Sequence, residues 1–220
     1  MRIAARYNGP PGSGNGGYSA GLLATALGLA PAEVTLRRPP PLETDLTLVR
    51  DAVAGMGRAM HGDDLVAEAR AAAGRPDAVP PVPLADAEAA ATAYAGLLDH
   101  PFPTCFVCGT GRDDGLGLRP GPLPDARTAT PWHVPGDVDE VMMWAALDCP
   151  GGWAVLAPGR PYVLGRQSAW IDALPAPGDV CVVMGRHVGG EGRKAETQST
   201  VYGPSGAALA VARATWIAVS

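Results

Sequence analysis

The sequence predicts an α+β fold in which two related halves each place antiparallel strands around a central apolar helix. Three observations support this prediction. Each half contains an apolar segment of helical length, residues 17–29 in the first and 138–157 in the second. In each half, short strand-like segments separated by Gly, Pro and Asp follow that helix. The strand pattern of residues 41–70 recurs in the same order at 175–213.

Length and composition indicate a globular chain. The chain has 220 residues, 47% of them hydrophobic, and a formal charge of −5. This acidic balance argues against nucleic acid or an anionic membrane surface as the main partner. Residues 1–7 lack the apolar region of a secretory signal, and no uninterrupted apolar run approaches the roughly 18 residues of a membrane span. We therefore expect a cytoplasmic protein, with its four Cys residues reduced.

The first half, residues 1–73, is predicted as a turn, a helix and four strands. The turn is the Gly- and Pro-rich cluster 9–14, and the helix that follows stops before Pro31. The predicted strands are 33–38, 45–50, 55–61 and 65–72. The last two flank the sequence His61-Gly62-Asp63-Asp64 and are expected to form a hairpin.

A linker is predicted at 74–103, followed by the second half at 104–220. Pro residues open and close the linker, and the Ala- and Glu-rich segment 84–98 within it is predicted as a helix. In the second half the segment 138–157 is mainly helical, and Pro150 bends or divides it. The predicted strands of this half are 117–119, 126–134, 163–172, 179–188, 194–202 and 207–218.

The two central helices can be aligned in two ways. One alignment places Gly16-Gly17-Tyr18 on Gly151-Gly152-Trp153, and it leaves 138–147 unexplained. The other places Asn15 on Asp139 and gives two long helices. We favour the second alignment, because residues 141–147 are too apolar and too free of turn residues for a loop.

Two motifs carry the chemistry that the sequence suggests. Asn15-Gly16-Gly17-Tyr18 opens the first helix, and Asp148 ends the apolar run 141–147 of the second. A helix start offers unpaired N–H groups and the positive end of the helix dipole, and glycines let a carbonyl approach the backbone closely. Structural readings remain open for both motifs. Asn15 can serve only as an N-cap, and Asp148 can cap a helix that begins at Pro150.

Segments 15–23 and 147–153, together with the terminal strands 189–216, resemble the hotdog fold, and two tandem copies resemble the double-hotdog acyl-CoA thioesterases. In that family the first motif usually reads His-Gly-Gly or Asn-Gly-Gly, and a catalytic Asp often lies about nine residues later on the central helix. Here the first half has Ala24 at that place, and the second half has Asp148, nine residues after Asp139. The resemblance therefore implies a tandem hotdog, an antiparallel sheet wrapped around central apolar helices, with one composite site between its halves.

The resemblance also implies roles at that site. Gly16 and Gly17 would bind the substrate carbonyl, with Asn15 as cap and extra donor. Asp148 would act as general base or nucleophile, and burial on an apolar helix would raise its pKa. Substrate-binding roles are predicted for three aromatic residues of the apolar segments: Tyr18, Trp144 and Trp153. Six arginines are candidates to meet the phosphates of coenzyme A: Arg37, Arg38, Arg160, Arg166, Arg186 and Arg193.

The function expected from this resemblance is hydrolysis of an acyl thioester, either an acyl-CoA or a carrier-bound acyl group. The reaction needs no cofactor, and we expect that the protein can form a homodimer. The alternative is a hotdog protein that binds an acyl group or another small ligand without catalysis, because the first motif lacks His and only one half has the acid. An enoyl-CoA hydratase ranks lowest, because its Asp and His pairing has no match in the sequence.

The C-x-x-C motif at Cys105 and Cys108 is the remaining conspicuous feature. A structural zinc site needs four ligands, and His100, His133, Cys149 and Cys181 show no ligand-like spacing to the motif. The sequence thus predicts no metal site, and packing is the favoured role of these thiols. A contribution of Cys105 to the wall of the pocket stays open.

Overall fold

The computed structural model describes residues 1–156 and 161–219, and its architecture is α+β. Three positions considered above, Ala157, Arg160 and Ser220, lie outside the described residues. The helices are α1 Gly16–Leu27, α2 Leu84–Thr92, α3 Glu140–Ala146 and α4 Cys149–Trp153. The strands are β1 Ala32–Leu36, β2 Thr47–Asp51, β3 Met56–His61, β4 Asp64–Ala71, β5 Gly121–Pro122, β6 Thr128–His133, β7 Tyr162–Ile171, β8 Val180–Glu191, β9 Lys194–Tyr202 and β10 Ala208–Ala218.

All ten strands form one antiparallel sheet with the order β2-β3-β4-β1-β7-β10-β9-β8-β6-β5. The two halves join where β1 pairs with β7, residues 32–35 against 166–169. On either side of this joint the strands follow in mirrored order, and β9 and β10 repeat the hairpin of β3 and β4. The boundaries at 73/74 and 103/104 stay a prediction.

The two central helices α1 and α3 pack against each other and share one core with the sheet. Gly17 and Gly21 make the close approach possible. A Cβ atom on Gly17 would lie 2.6 Å from the Trp144 carbonyl oxygen, and one on Gly21 would lie 2.6 Å from Trp144 Cβ. The side chains of Asn15 and Asp139 cap the two helices in the same way. The caps agree with the alignment of Asn15 on Asp139, but the expected second long helix is not present, because α3 has only 7 residues.

One predicted strand is wrong, and the predicted division of the second helix is confirmed. Segment 117–119 forms no strand, because Gly117 has a φ of +66° and the Leu118 N–H bonds to the Val107 carbonyl instead. The short strand β5 follows it. The segment starting at 138 divides as expected, since α3 ends at Ala146 and Pro150 lies in the first turn of α4.

The segment predicted as a linker packs against the second half. Helix α2 lies on β6, and its Ala87 and Ala90 join a buried cluster with Val79 and Met184. Two hydrogen bonds fix the chain before this helix, from the Val79 N–H to Thr200 Oγ1 at 2.9 Å and from the Tyr202 hydroxyl to the Val79 carbonyl at 2.7 Å. Among the helices of residues 1–156 and 161–219, none is long and apolar enough to cross a membrane.

Candidate active site

The Asn15 side chain connects the start of α1 with Asp148, a residue of the second half. Its Oδ1 accepts a hydrogen bond from the Tyr18 N–H at 2.8 Å, the geometry of an N-cap. Its Nδ2 donates to Asp148 Oδ2 at 2.9 Å. Asn15 is buried, and its Nδ2 also lies 3.8 Å from Cys105 Sγ. The same side chain thus starts α1 and reaches the carboxylate of the second half.

Asp148 lies between α3 and α4, at the N-cap position of α4, yet its side chain caps no helix there. Its Oδ2 instead accepts hydrogen bonds from the Gly17 N–H at 3.0 Å and from Asn15. Only 2% of the residue is exposed. The structure therefore brings together the two motifs of the sequence, and it assigns the Asp148 carboxylate to the start of α1.

The environment of Asp148 favours its protonated form. Burial raises the pKa of the Asp148 carboxyl to about 7, although the hydrogen bonds from Gly17 and Asn15 act in the opposite direction. Asp148 Oδ1 is buried and accepts no hydrogen bond from the residues that the structure describes. Because buried oxygens of this kind normally have a partner, Oδ1 is available to a water molecule or ligand.

A cavity of about 40 Å³ lies against Asp148 and is also lined by Gly16, Cys105 and Trp153. This volume is enough for a water molecule, which needs about 10–15 Å³ by this measure. A groove of about 340 Å³ adjoins the cavity and shares Gly16 and Leu164 with it. A small reactant beside Asp148 is thus compatible with a longer molecule in the groove.

The two glycines that the sequence assigned to a substrate carbonyl differ in the structure. The N–H of Gly17 is bonded to Asp148 and is not free for a substrate. The N–H of Gly16 has no hydrogen-bond acceptor among the described residues. A Cβ atom on Gly16 would lie 2.7 Å from Leu164 Cβ, so the approach of the sheet to this helix start requires glycine.

Two of the three predicted substrate-binding aromatic residues do not line the cavity. The Tyr18 ring stacks on Tyr7 with centroids 3.8 Å apart, because it lies roughly 200° around α1 from Gly16. Trp144 packs on Gly21 and lines a separate depression of about 300 Å³. Trp153 does line the cavity, and its Nε1–H lies 3.4 Å from Cys108 Sγ.

Three cysteines lie together at the cavity, an arrangement that the sequence spacing did not reveal. The Sγ atoms of Cys105, Cys108 and Cys149 are all within 4.8 Å of one another, and all three residues are buried. The pKa of the Cys105 thiol is lowered by the neighbouring thiols of Cys108 and Cys149, which favour its thiolate form. One signal in the sequence pointed to the third cysteine: Cys149 directly follows Asp148, so it was bound to lie near the predicted site.

His100 fixes the segment that carries the first two cysteines. Its Nδ1 accepts a hydrogen bond from the Phe102 N–H at 2.9 Å, so its Nε2–H can donate to the Cys108 carbonyl at 3.1 Å. Burial lowers the pKa of His100, which keeps the ring neutral.

No family model matches the sequence, and no curated protein matches it. Solved structures do resemble the chain. A conserved protein of unknown function with a hot dog fold from Alicyclobacillus acidocaldarius has 16% identity and a TM-score of 0.63, over 100% of this chain and 92% of that one. The tesB protein of Mycobacterium avium subsp. paratuberculosis has 12% identity and a TM-score of 0.63, over 100% and 91%.

A third structure, a candidate thioesterase from Novosphingobium aromaticivorans, has 18% identity and a TM-score of 0.61, over 96% of this chain and 91% of that one. At these identities the likeness concerns the fold. Its extent over nearly the full length of both chains agrees with the mirrored sheet and the paired central helices. The chain therefore has the predicted α+β double-hotdog fold.

Proposed function

We propose that this protein hydrolyses an acyl thioester at Asp148. The observation that carries the proposal is a buried carboxylate with a pKa of about 7, held at the start of α1, whose second oxygen accepts no hydrogen bond from the described residues. Such a group is a good general base near neutral pH. The tesB protein and the candidate thioesterase among the similar structures add support at the level of the fold.

In the proposed reaction, a water molecule in the cavity donates a hydrogen bond to Asp148 Oδ1. As the water oxygen bonds to the thioester carbon, Oδ1 takes its proton and the carbonyl oxygen becomes an oxyanion. The Gly16 N–H and the positive end of α1 stabilise that oxyanion. The tetrahedral intermediate then collapses, the C–S bond breaks, and Asp148 returns the proton to the thiolate. The products are a carboxylic acid and a thiol.

The groove suggests how the rest of the substrate binds. Its wall includes the apolar side chains of Leu36 and Ile217, and it also includes Arg37 and Arg38. Both arginines are about half exposed and form ion pairs at the surface, with Glu68 and Asp64 respectively. Exposed pairs of this kind contribute about 0–1 kcal/mol, so a phosphate can replace the carboxylates at little cost. We therefore favour these two arginines for an acyl-CoA or carrier phosphate.

The direct test is hydrolysis of short, medium, long and aryl acyl-CoAs by the wild type and by Asp148→Asn. The amide keeps the size of the side chain and an oxygen for Gly17 and Asn15, but it cannot accept the proton of water. We expect kcat/KM to fall by about 10²–10⁴. Asp139→Asn is the matched control, because Asp139 caps α3 and asparagine is an equally good cap.

Hydrolysis that survives in Asp148→Asn at the wild-type rate would exclude Asp148 as the base. To distinguish base from nucleophile, a single turnover in heavy-oxygen water can be followed by mass spectrometry. Heavy oxygen in the Asp148 carboxylate would show that Asp148 attacks the thioester and that water then cleaves the resulting anhydride at the aspartyl carbon. Direct attack by water leaves Asp148 unlabelled and places the heavy oxygen in the released acid.

One observation favours the alternative of ligand binding without catalysis. The Gly17 N–H, which was expected to face a substrate carbonyl, is bonded to Asp148. A folded wild type that binds acyl-CoA in calorimetry but hydrolyses no member of the panel would support this second function.

A further inference from the structure

The proposed hydrolysis makes no use of the cluster formed by Cys105, Cys108 and Cys149. Their three sulfur atoms lie within 4.8 Å of one another, and the Cys105 and Cys149 sulfurs are 4.0 Å apart. All three side chains line the cavity beside Asp148. Cys181 is also buried but lies on β8, outside the cluster. Burial alone therefore does not bring a cysteine of this chain into the cluster.

The spacing of the sulfurs fits a single thiolate-bound metal ion. Zinc–sulfur bonds of about 2.3 Å in a tetrahedron place the sulfur atoms roughly 3.8 Å apart. The Cys105 and Cys149 sulfurs, 4.0 Å apart, are already close to this separation. The other two sulfur–sulfur distances are at most 4.8 Å, which is about 1 Å longer than the separation around zinc. Small side-chain movements would thus close the three sulfurs around an ion.

The surroundings of the cluster supply the hydrogen bonds that thiolates need. The indole Nε1–H of Trp153 points to Cys108 Sγ at 3.4 Å, and the Asn15 amide Nδ2 lies 3.8 Å from Cys105 Sγ. N–H donors of this kind orient sulfur ligands and compensate their charge. His100 holds the carbonyl of Cys108 and thereby the second ligand of the C-x-x-C loop.

We propose that Cys105, Cys108 and Cys149 bind one Zn²⁺ ion, with a fourth coordination position open to the cavity. Three thiolates select a soft borderline ion such as zinc over Mg²⁺ or Ca²⁺. His100 does not supply the fourth ligand, because both of its ring nitrogens are engaged. Three protein ligands with an open position for water are typical of zinc sites that contact substrates. This proposal goes beyond the hydrolysis at Asp148, none of whose steps requires a metal.

Metal binding can be measured without turnover. The full chain is reduced, freed of metal with EDTA and titrated anaerobically with Co²⁺, which gives thiolate charge-transfer bands and strong tetrahedral d–d bands. Zn²⁺ should then displace the cobalt, and elemental analysis should give one zinc per chain. Cys149→Ser, Cys105→Ser and Cys108→Ser should each lose the bands, while Cys181→Ser is the matched control and should keep them.

A variant that keeps all three cysteines separates an effect on the metal site from general unfolding. Trp153→Phe keeps an aromatic ring next to Tyr94 and His100 but removes the N–H donor to Cys108 Sγ, and we expect zinc affinity to fall by about 10–100-fold. Circular dichroism on every variant confirms that it is folded.

Two results would overturn the proposal. One is a reduced wild type with four titratable thiols that gives no cobalt–thiolate band. The other is an equal loss of metal in Cys181→Ser. Neither result depends on activity, so failure of the zinc site and failure of the thioesterase proposal are separately visible.

Discussion

Replacing Gly17 with alanine would test whether the close contact of α1 with α3 holds Asp148 in place. The added Cβ would lie 2.6 Å from Asp148 Cβ and 2.6 Å from the Trp144 carbonyl oxygen. Ordinary carbon contacts are about 3.5–4.0 Å, so the helices would have to separate by about 1 Å. The same movement would lengthen the hydrogen bond from the Gly17 N–H to Asp148 Oδ2, now 3.0 Å, beyond its useful range.

The expected cost follows from these two effects. A hydrogen bond to a charged group contributes about 1.5–3 kcal/mol. Overpacking adds about 1–3 kcal/mol, and the higher helix propensity of alanine returns up to about 1 kcal/mol. We therefore expect Gly17→Ala to lower the free energy of unfolding by about 1.5–6 kcal/mol. Hydrolysis should fall as well, because the Asp148 carboxylate would lose one of its two donors.

Chemical denaturation and thioester hydrolysis would be measured on the same preparations. Gly21→Ala meets Trp144 in a similar way but does not touch Asp148, so it should lose stability with a smaller effect on the reaction. Gly136→Ala, where an added Cβ meets nothing within 4 Å, should leave both quantities near wild type. A Gly17→Ala protein with wild-type stability and activity would refute the helix contact as described.

Two further predictions concern Asn15 and pH. Asn15→Ser keeps an N-cap oxygen for Tyr18 but removes the donor to Asp148, so hydrolysis should slow and the free energy of unfolding should fall by about 1.5–3 kcal/mol. Asn15→Ala should lose about 1 kcal/mol more in denaturant unfolding, because it also lacks the cap. In metal-free protein, kcat/KM should rise about tenfold per pH unit up to about 7 and then level off, because only ionised Asp148 can take a proton from water. A profile flat between pH 5 and 8 would contradict this prediction.

The sequence predicted the fold well, because the hydrophobic pattern and the turns repeat along the chain. The hairpin at His61–Asp64 and the strands of the last 60 residues were recognisable from alternation and from Gly- and Pro-rich turns. The failed strand at 117–119 shows the limit of this reasoning. In this segment the Leu118 N–H donates to the Val107 carbonyl, and only the tertiary structure brings these two residues together.

The site was predictable in part. The contact of Asn15 with Asp148 agrees with the family resemblance, but the direction of the Gly17 N–H depends on how closely α1 approaches α3. The distance between α1 and α3 cannot be read from any local sequence pattern. The third cysteine was missed for a similar reason, since Cys149 is 44 residues from Cys105 along the chain and meets it only in the folded second half.

The covalent joining of the halves has a genetic consequence. In a symmetric dimer of identical chains, every substitution appears at both interface sites. Here the mirrored sheet places two equivalent positions in one chain, and Ala24 stands where the other half has Asp148. Each position can therefore mutate without its twin. This chain therefore combines Asp148 and Cys149 in one half with Ala24 at the equivalent place in the other half. In a dimer encoded by a single half, both sites would have to carry the same residue at that place.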